Sequence, residues 1–235
     1  MDRRILTKLN ALRRARQAVI LITDLSGGPD RLIVEGDAVD GPLGDAAASA
    51  FRSGKSSAMD IDGRSLFLNV HLPPPHIVVI GAVHISQVLA QMAVLAGFDI
   101  RIIDPRTAFA TPERFEGVDL VADWPVDALK ERALDAYTAL VAVTHDPKID
   151  DFAIAEALKL GCFYVGALGS RKTHASRLER LTREGLTEGD LARIHAPIGL
   201  PIGASSPAEI AVAILAEIIG ALRGRNVSSP KGDKQ

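Results

Sequence analysis

Two different spacings of apolar residues divide the chain. Up to His71 the pattern is mixed. A helix-period segment from Ile5 to Arg16 is followed by strand-like runs at Val19 to Thr23 and Leu32 to Val34, and Gly44 to Ser53 reads as a short helix. Ser57 to Ile61 and Ser65 to His71 flank Asp62-Gly63. This is a two-residue hairpin signal, because glycine accepts the positive φ that a type I′ turn demands. Together these elements predict a small α+β region.

From His76 onward the pattern becomes a regular alternation of strand and helix. Apolar runs at His76 to Ile80, Asp99 to Ile103, Leu120 to Ala122, Ala139 to Thr144 and Phe163 to Ala167 read as strands. Between and after them lie helix-period segments at His84 to Ala96, Val126 to Leu134, Asp151 to Leu160 and Lys172 to Glu184. In the first of these, Ile85, Val88, Leu89, Met92 and Ala96 form one stripe, and Gly97 stands where a helix C-cap glycine belongs. Such alternation predicts right-handed βαβ units and a parallel sheet, a Rossmann-like α/β fold. Ser206-Pro207-Ala208-Glu209 is a capping box with proline at the first helical position, opening a last helix whose body, Ile210 to Leu222, is apolar on almost every face. Such a helix should be buried, in the core or in an interface between protomers.

Pro73-Pro74-Pro75 can continue neither a helix nor a central strand and reads as a stiff linker. The expected domains are therefore 1–73, a small α+β unit, and 76–224, the Rossmann-like unit, with a disordered tail at 225–235. At 235 residues there is material for either one large core or two smaller ones. A formal net charge of -2 gives no electrostatic reason to expect nucleic acid or an anionic membrane as partner. No apolar run approaches the ~20 residues of a membrane span, and Met1-Asp2-Arg3-Arg4 leads into a mixed polar segment, so a cytoplasmic location is the expectation. Cys162 is the single cysteine, which excludes an intrachain disulfide or a cysteine-based zinc cluster; its apolar neighbours Phe163-Tyr164-Val165 suggest a buried structural thiol.

Chemistry should gather where strands meet helices. Ile80-Gly81-Ala82-Val83-His84-Ile85-Ser86 keeps the first glycine of a dinucleotide fingerprint but has Val83 and Ser86 at the other two, while Asp104 ends the second strand, where an acidic residue would hold a ribose hydroxyl. The turn therefore either holds a pyrophosphate or has lost that grip. Thr144-His145-Asp146-Pro147-Lys148 and Gly166-Ala167-Leu168-Gly169-Ser170-Arg171-Lys172-Thr173-His174 follow the fourth and fifth strands, where α/β sheets place ligands. Arg171, Lys172 and His174 crowd the first turn of a helix, where the dipole already disfavours cations, so either a phosphate-like anion lies between them or the turn is solvated and its charges splay apart. His145 could contact ligand, transfer protons, or hydrogen-bond Asp146 or Asp150. In His195-Ala196-Pro197-Ile198-Gly199-Leu200-Pro201-Ile202-Gly203-Ala204, the glycines suggest close backbone approach or a compact connector, and His195, without a polar neighbour in the sequence, reads as structural.

Taken in order, Val79-Ile80-Gly81-Ala82-Val83-His84, Asp104-Pro105-Arg106, Phe109 to Phe115, Thr144 to Asp150, Gly166 to Arg171 with Thr173-His174, and His195 to Leu200 through to Ser206-Pro207-Ala208-Glu209-Ile210-Ala211 make the chain resemble the C-terminal domain of the xanthine dehydrogenase accessory protein family (XdhC/CoxF, also called CoxI). The resemblance covers most of residues 76–222. It implies a chaperone that binds the molybdenum cofactor (molybdopterin or its dinucleotide), protects it, assists its sulfuration by a partner sulfurtransferase, and inserts it into an apo molybdenum hydroxylase of the xanthine or aldehyde dehydrogenase type. On this reading the amides of Gly81, Gly169 and Ser170 meet phosphate, Arg171 and Lys172 supply counter-charge, Asp104 accepts a hydroxyl, and His145 lies near the pterin or metal end. His84, Arg106, Thr144, Asp146 and His174 complete the binding set. Two departures stand out: Val83 where many relatives have glycine, and no Gly-Gly-Cys motif in the N-terminal region, which reads Leu25-Ser26-Gly27-Gly28-Pro29 and Glu35-Gly36-Asp37-Ala38-Val39. An NAD(P)-binding oxidoreductase and a non-catalytic scaffold protein stay open as rivals, as does a homodimer through the last helix.

Overall fold

The computed structural model describes residues 2–224 and divides into two compact units, one ending at Pro73 and the other spanning Pro74–Leu222. The tail expected at 225–235 lies outside the described residues.

The first unit is built from α1 (Arg3–Arg14), β1 (Val19–Asp24), β2 (Arg31–Val34), α2 (Gly41–Ser53), β3 (Ser57–Ile61) and β4 (Arg64–His71). Its four strands form an antiparallel sheet in the order β2-β1-β4-β3. Asp62 and Gly63 both take positive φ, 51° and 74°, so the hairpin turn forms as its residues dictate. Helix α2 starts three residues before the sequence pattern suggested, because Asp40 and Pro42 open it ahead of the first apolar residue.

The second unit contains β5 (His76–Ile80), α3 (His84–Leu95), β6 (Asp99–Ile103), β7 (Asp119–Val121), α4 (Pro125–Glu131), β8 (Thr138–Ala142), α5 (Pro147–Lys159), β9 (Tyr164–Ala167), α6 (Arg171–Arg183), α7 (Glu188–Leu191), β10 (Ile194–His195) and α8 (Pro207–Gly224). Six parallel strands lie in the order β10-β9-β8-β5-β6-β7. Alternate residues of the central strand β5 serve two cores. Ile77 and Val79 pack with Leu89 and Ala93 of α3 and Ile214 and Ile218 of α8, while Val78 and Ile80 pack with Leu129 of α4 and Ile154 and Leu158 of α5. Being buried on both faces is why β5 and β8 are nearly continuous apolar runs rather than alternating ones, while β6 carries the buried Arg101 at its centre. Cys162 is buried in the second of these cores.

Helix α5 begins at Pro147, four residues before the pattern placed it, because Asp146 caps it and proline suits its first position. The two-residue β10 was not expected. The last helix meets part of its forecast: Ala211, Ala213, Ile214, Leu215 and Ile218 are buried within this chain, while Val212 and Ile219 are exposed. Among the described residues no helix is long and apolar enough to cross a membrane.

The strand order fixes where a ligand can go. From β5 the chain runs outward through β6 and β7, then returns to the other side of β5 and runs outward again through β8, β9 and β10. The connections leaving β5 and β8 therefore cover opposite faces, and their carboxyl ends part to leave a crevice at this switch point.

Candidate functional site

The floor of the crevice is backbone. Gly81 leaves β5 with φ 122°, and its N–H donates to the Ile103 carbonyl at 2.8 Å. A Cβ at Gly81 would come within 2.9 Å of Thr144 Cγ2, so the two strand ends can meet at this level only because Gly81 has no side chain. Ser86, standing at the third fingerprint position, turns its hydroxyl inward to the Gly81 carbonyl and locks the turn. Arg114 locks it from outside, donating to the Ala82 carbonyl at 3.2 Å and the Phe109 carbonyl at 2.7 Å.

Three helices start along this edge. Asp146 caps α5 through the Lys148 N–H at 3.0 Å, and Ser170 caps α6 through the Thr173 N–H at 3.2 Å. Helix α3 starts after Val83 with no side-chain cap, and His84, its first residue, is exposed. Its first-turn amides carry the partial positive charge of the helix dipole toward the crevice.

Asp104 does not present itself as a hydroxyl acceptor. Its carboxylate is fully buried and takes four donors: the Ala82 N–H at 2.7 Å, the Arg106 N–H at 2.9 Å, and Arg106 Nε and Nη2 at 2.9 and 2.8 Å. Burial opposes its ionisation, but the Arg106 and Ala82 donors outweigh burial and hold it below the usual carboxylate range. All its lone pairs are thus engaged within the protein. The group that faces outward is Arg106, whose side chain is 32% exposed and lies over the Phe109 ring with 4.6 Å from guanidinium carbon to centroid. Hydrogen bonding to Asp104 raises the Arg106 pKa, and the negative charges of Asp146 and Asp150 add to it more weakly.

Across the switch point, Thr144 Oγ1 donates to Asp150 Oδ1 at 2.7 Å and accepts from the Asp146 N–H at 3.0 Å. This pair fills the role sequence reasoning considered for His145, which is instead exposed in a left-handed conformation with φ 65°. Asp150 is fully buried, and burial raises its pKa to about 6.

The cationic turn lies one strand further out. Arg171 and Lys172 are exposed, while His174 is half-buried, with burial and then Arg177 lowering its pKa. The fold therefore brings Gly81, His84, Asp104, Arg106, Thr144, His145 and Asp146 to one crevice and sets Gly169 to His174 beside it, behind β9.

Several polar residues escaped the sequence reading. Arg177 is 2% exposed, donates to the Leu168 carbonyl at 3.1 Å and lies 3.8 Å from Asp151, which Arg180 also grips. Tyr164 of β9 and His195 of β10 form a second network with Glu217 of α8. Amphipathic spacing could flag Arg177, a cation on the apolar stripe of α6, but the 22-residue gap between His195 and Glu217 gives no local signal. Among the described residues no group of three or more His, Cys, Asp or Glu could hold a metal ion.

Comparison with known proteins bears on the whole second unit. Residues 77–218 match the family model described as the XdhC Rossmann domain. The chain is 34% identical over 155 residues to the Escherichia coli (strain K12) protein YqeB, covering 66% of this chain and 29% of that one. It is 32% identical over 156 residues to a Bacillus subtilis (strain 168) protein named as a probable xanthine dehydrogenase component, covering 66% of this chain and 45% of the relative. It is 28% identical over 133 residues to the E. coli molybdenum cofactor insertion chaperone PaoD, covering 57% and 36%. The chain thus spans less than half the length of these relatives. A Bacillus halodurans crystal structure described as a xanthine dehydrogenase superposes with a TM-score of 0.62 at 23% identity, over 97% of this chain and 67% of that one, a likeness of fold. With a Rossmann model matched from β5 into α8, the chain belongs to the XdhC family.

Proposed function

We propose that this chain is an accessory protein that holds the molybdenum cofactor for insertion into a xanthine dehydrogenase-type molybdoenzyme. The cargo is motivated by the name of the relative PaoD, and the client by that of the Bacillus subtilis relative. Arg106 carries the reading: it is pinned by buried Asp104 beside the uncapped start of α3. A guanidinium and a row of helix amides facing one crevice suit a phosphate group. The first-turn amides from His84, the Gly81 turn and Arg106 would hold that phosphate, the Thr144 to Asp146 turn would wall the crevice, and Arg171 and Lys172 would add longer-range attraction. Delivery to the client, and sulfuration by a partner sulfurtransferase, belong to the same proposal.

The competing reading, a nicotinamide dinucleotide enzyme, needs an acidic ribose acceptor and an open pyrophosphate approach. Asp104 is engaged by Arg106 and Ala82, and Val83 occupies the second glycine position. A cofactor with one terminal phosphate fits these residues better than a dinucleotide bound in the usual way.

The experiment is a parallel titration with molybdenum cofactor and with NADPH, on wild type and Arg106→Ala. Saturable binding of the molybdenum cofactor that weakens at least tenfold in Arg106→Ala supports the proposal. Binding of NADPH alone, or cofactor binding indifferent to Arg106, overturns it.

A further inference from the structure

We propose that the outer face of α1 is a docking surface for an acidic face of a partner protein. The inference uses neither the crevice nor its cargo, so it stands or falls apart from them.

Helix α1 (Arg3–Arg14) carries five cations and no acid, in a chain whose formal net charge is -2. Its inner face is committed. Leu9 is buried with Val19 and Leu21 of β1, and Ile5, Leu12 and Leu32 pack around them. The helical period then turns Arg3, Thr7, Ala11 and Arg14 away from the sheet, with Arg4 and Lys8 beside them. All six are exposed. The Thr7 hydroxyl donates back to the Arg3 carbonyl at 2.9 Å, and Ala11 is only a methyl, so nothing bulky stands between the cations.

The fold itself makes no use of these charges. Among the described residues none of Arg3, Arg4, Lys8, Arg13 and Arg14 is paired with a carboxylate, whereas Arg64, Arg106 and Arg180 each grip an aspartate. The placement also opposes local stability. Arg3 and Arg4 stand in the first turn, where the dipole disfavours cations, and Arg4 and Lys8 are like charges one turn apart. Arg13 works against its own neighbour: burial, and then the Arg13 charge, lowers the His71 pKa. Carboxylates brought by a partner would relieve these repulsions together, which is what complementary charge across an interface does.

The same residues decide the kind of partner. A helix that lies in a membrane surface needs its apolar stripe free, but here Ile5, Leu9 and Leu12 are spent on the sheet, and Leu6, at 39%, is the one exposed large hydrophobic of α1. No aromatic side chain stands on α1 to stack a base. In the rest of the first unit acids outnumber bases, so the basic run is confined to a helix about 18 Å long. That footprint matches one acidic helix or protein face better than a long polyanion.

The test measures anisotropy of a labelled helical peptide of about 15 residues with glutamates along one face, titrated with the whole protein at about 0.15 M salt. The peptide should bind saturably, and its glutamine counterpart should not. Arg4→Gln/Lys8→Gln/Arg14→Gln should weaken binding roughly tenfold or more, while Arg52→Gln/Lys55→Gln, which removes exposed cations outside α1, should leave it unchanged. Glutamine has nearly the helix propensity of arginine and lysine, so the α1 variant should fold, with a urea midpoint equal to or above that of wild type. Arg4→Glu/Lys8→Glu/Arg14→Glu should refuse the glutamate peptide and take its lysine counterpart. Raising salt on the wild type, which needs no variant, should release the peptide. Failure to bind the glutamate peptide, equal binding in wild type and the α1 glutamine variant, or no exchange of preference in the charge-reversed variant overturns the proposal. Tighter binding through α1 of duplex DNA of equal charge, or of phosphatidylserine vesicles, overturns it in favour of a nucleic acid or a membrane.

Discussion

Arg106 grips Asp104 with both its backbone and its side chain: the N–H and Nε reach one carboxylate oxygen and Nη2 the other, at 2.8 to 2.9 Å. The residue two positions back along the chain thus fixes the guanidinium at the mouth of the crevice. Arg106→Ala should lower stability by about 3 kcal/mol, since it leaves a buried carboxylate short of donors. Arg106→Lys restores charge without the fork and should recover stability more than cofactor affinity; urea unfolding and titration of both variants separate the two effects.

Arg171 and Lys172 stand one strand away from that crevice, roughly 5 Å further out. Arg171→Ala/Lys172→Ala should weaken cofactor binding only a few-fold, and the difference from wild type should shrink as salt rises, as it does for exposed charges. A loss equal to that of Arg106→Ala would move the phosphate to α6.

Asp150 makes the fold sensitive to pH. Burial raises its pKa from 3.8 to about 6. In that window the unfolded chain has released this proton while the folded chain keeps it, so stability should fall as pH rises from about 4 to about 6. Asp150→Asn should flatten that slope and, at about pH 7.5, be the more stable protein by up to about 3 kcal/mol. Urea midpoints at several pH values check the sign; parallel curves for the two proteins would count against it.

Gly81→Ala should cost about 1–3 kcal/mol, because it combines a positive φ of 122° with a Cβ 2.9 Å from Thr144 Cγ2. Calorimetry of this variant against Gly97→Ala isolates the contact, since Gly97 has φ 81° and open space around its missing Cβ.

Much of the architecture is legible in the residues. The run His76 to Ile80 reads as a strand and Asp62-Gly63 as a hairpin turn, and both form so. Ser206 and Glu209 form their reciprocal cap, in which amide donors from Ser205 and Ser206 pull the Glu209 pKa down to about 2. What stayed hidden depends on distance or length. Two residues cannot show a period, so β10 was silent. Asp104 has the position of a ribose acceptor, but whether it is free depends on where Arg106 points, and a one-letter string does not carry direction. His195 lacked a partner in the sequence because Glu217 comes from a helix laid across the sheet.

Cys162 is 1% exposed, and burial pushes its thiol pKa up to about 12. As the chain has no other cysteine, thiol reagents at about pH 8 should leave the native protein unlabelled until it unfolds. Insulating that sulfur has an organisational consequence. Two native copies have no accessible sulfur with which to bridge, and a persulfide on a neighbouring protein meets no thiolate here to exchange with. Disulfides through this thiol therefore do not link native copies, and sulfur destined for a bound cofactor would pass to it without stopping on Cys162.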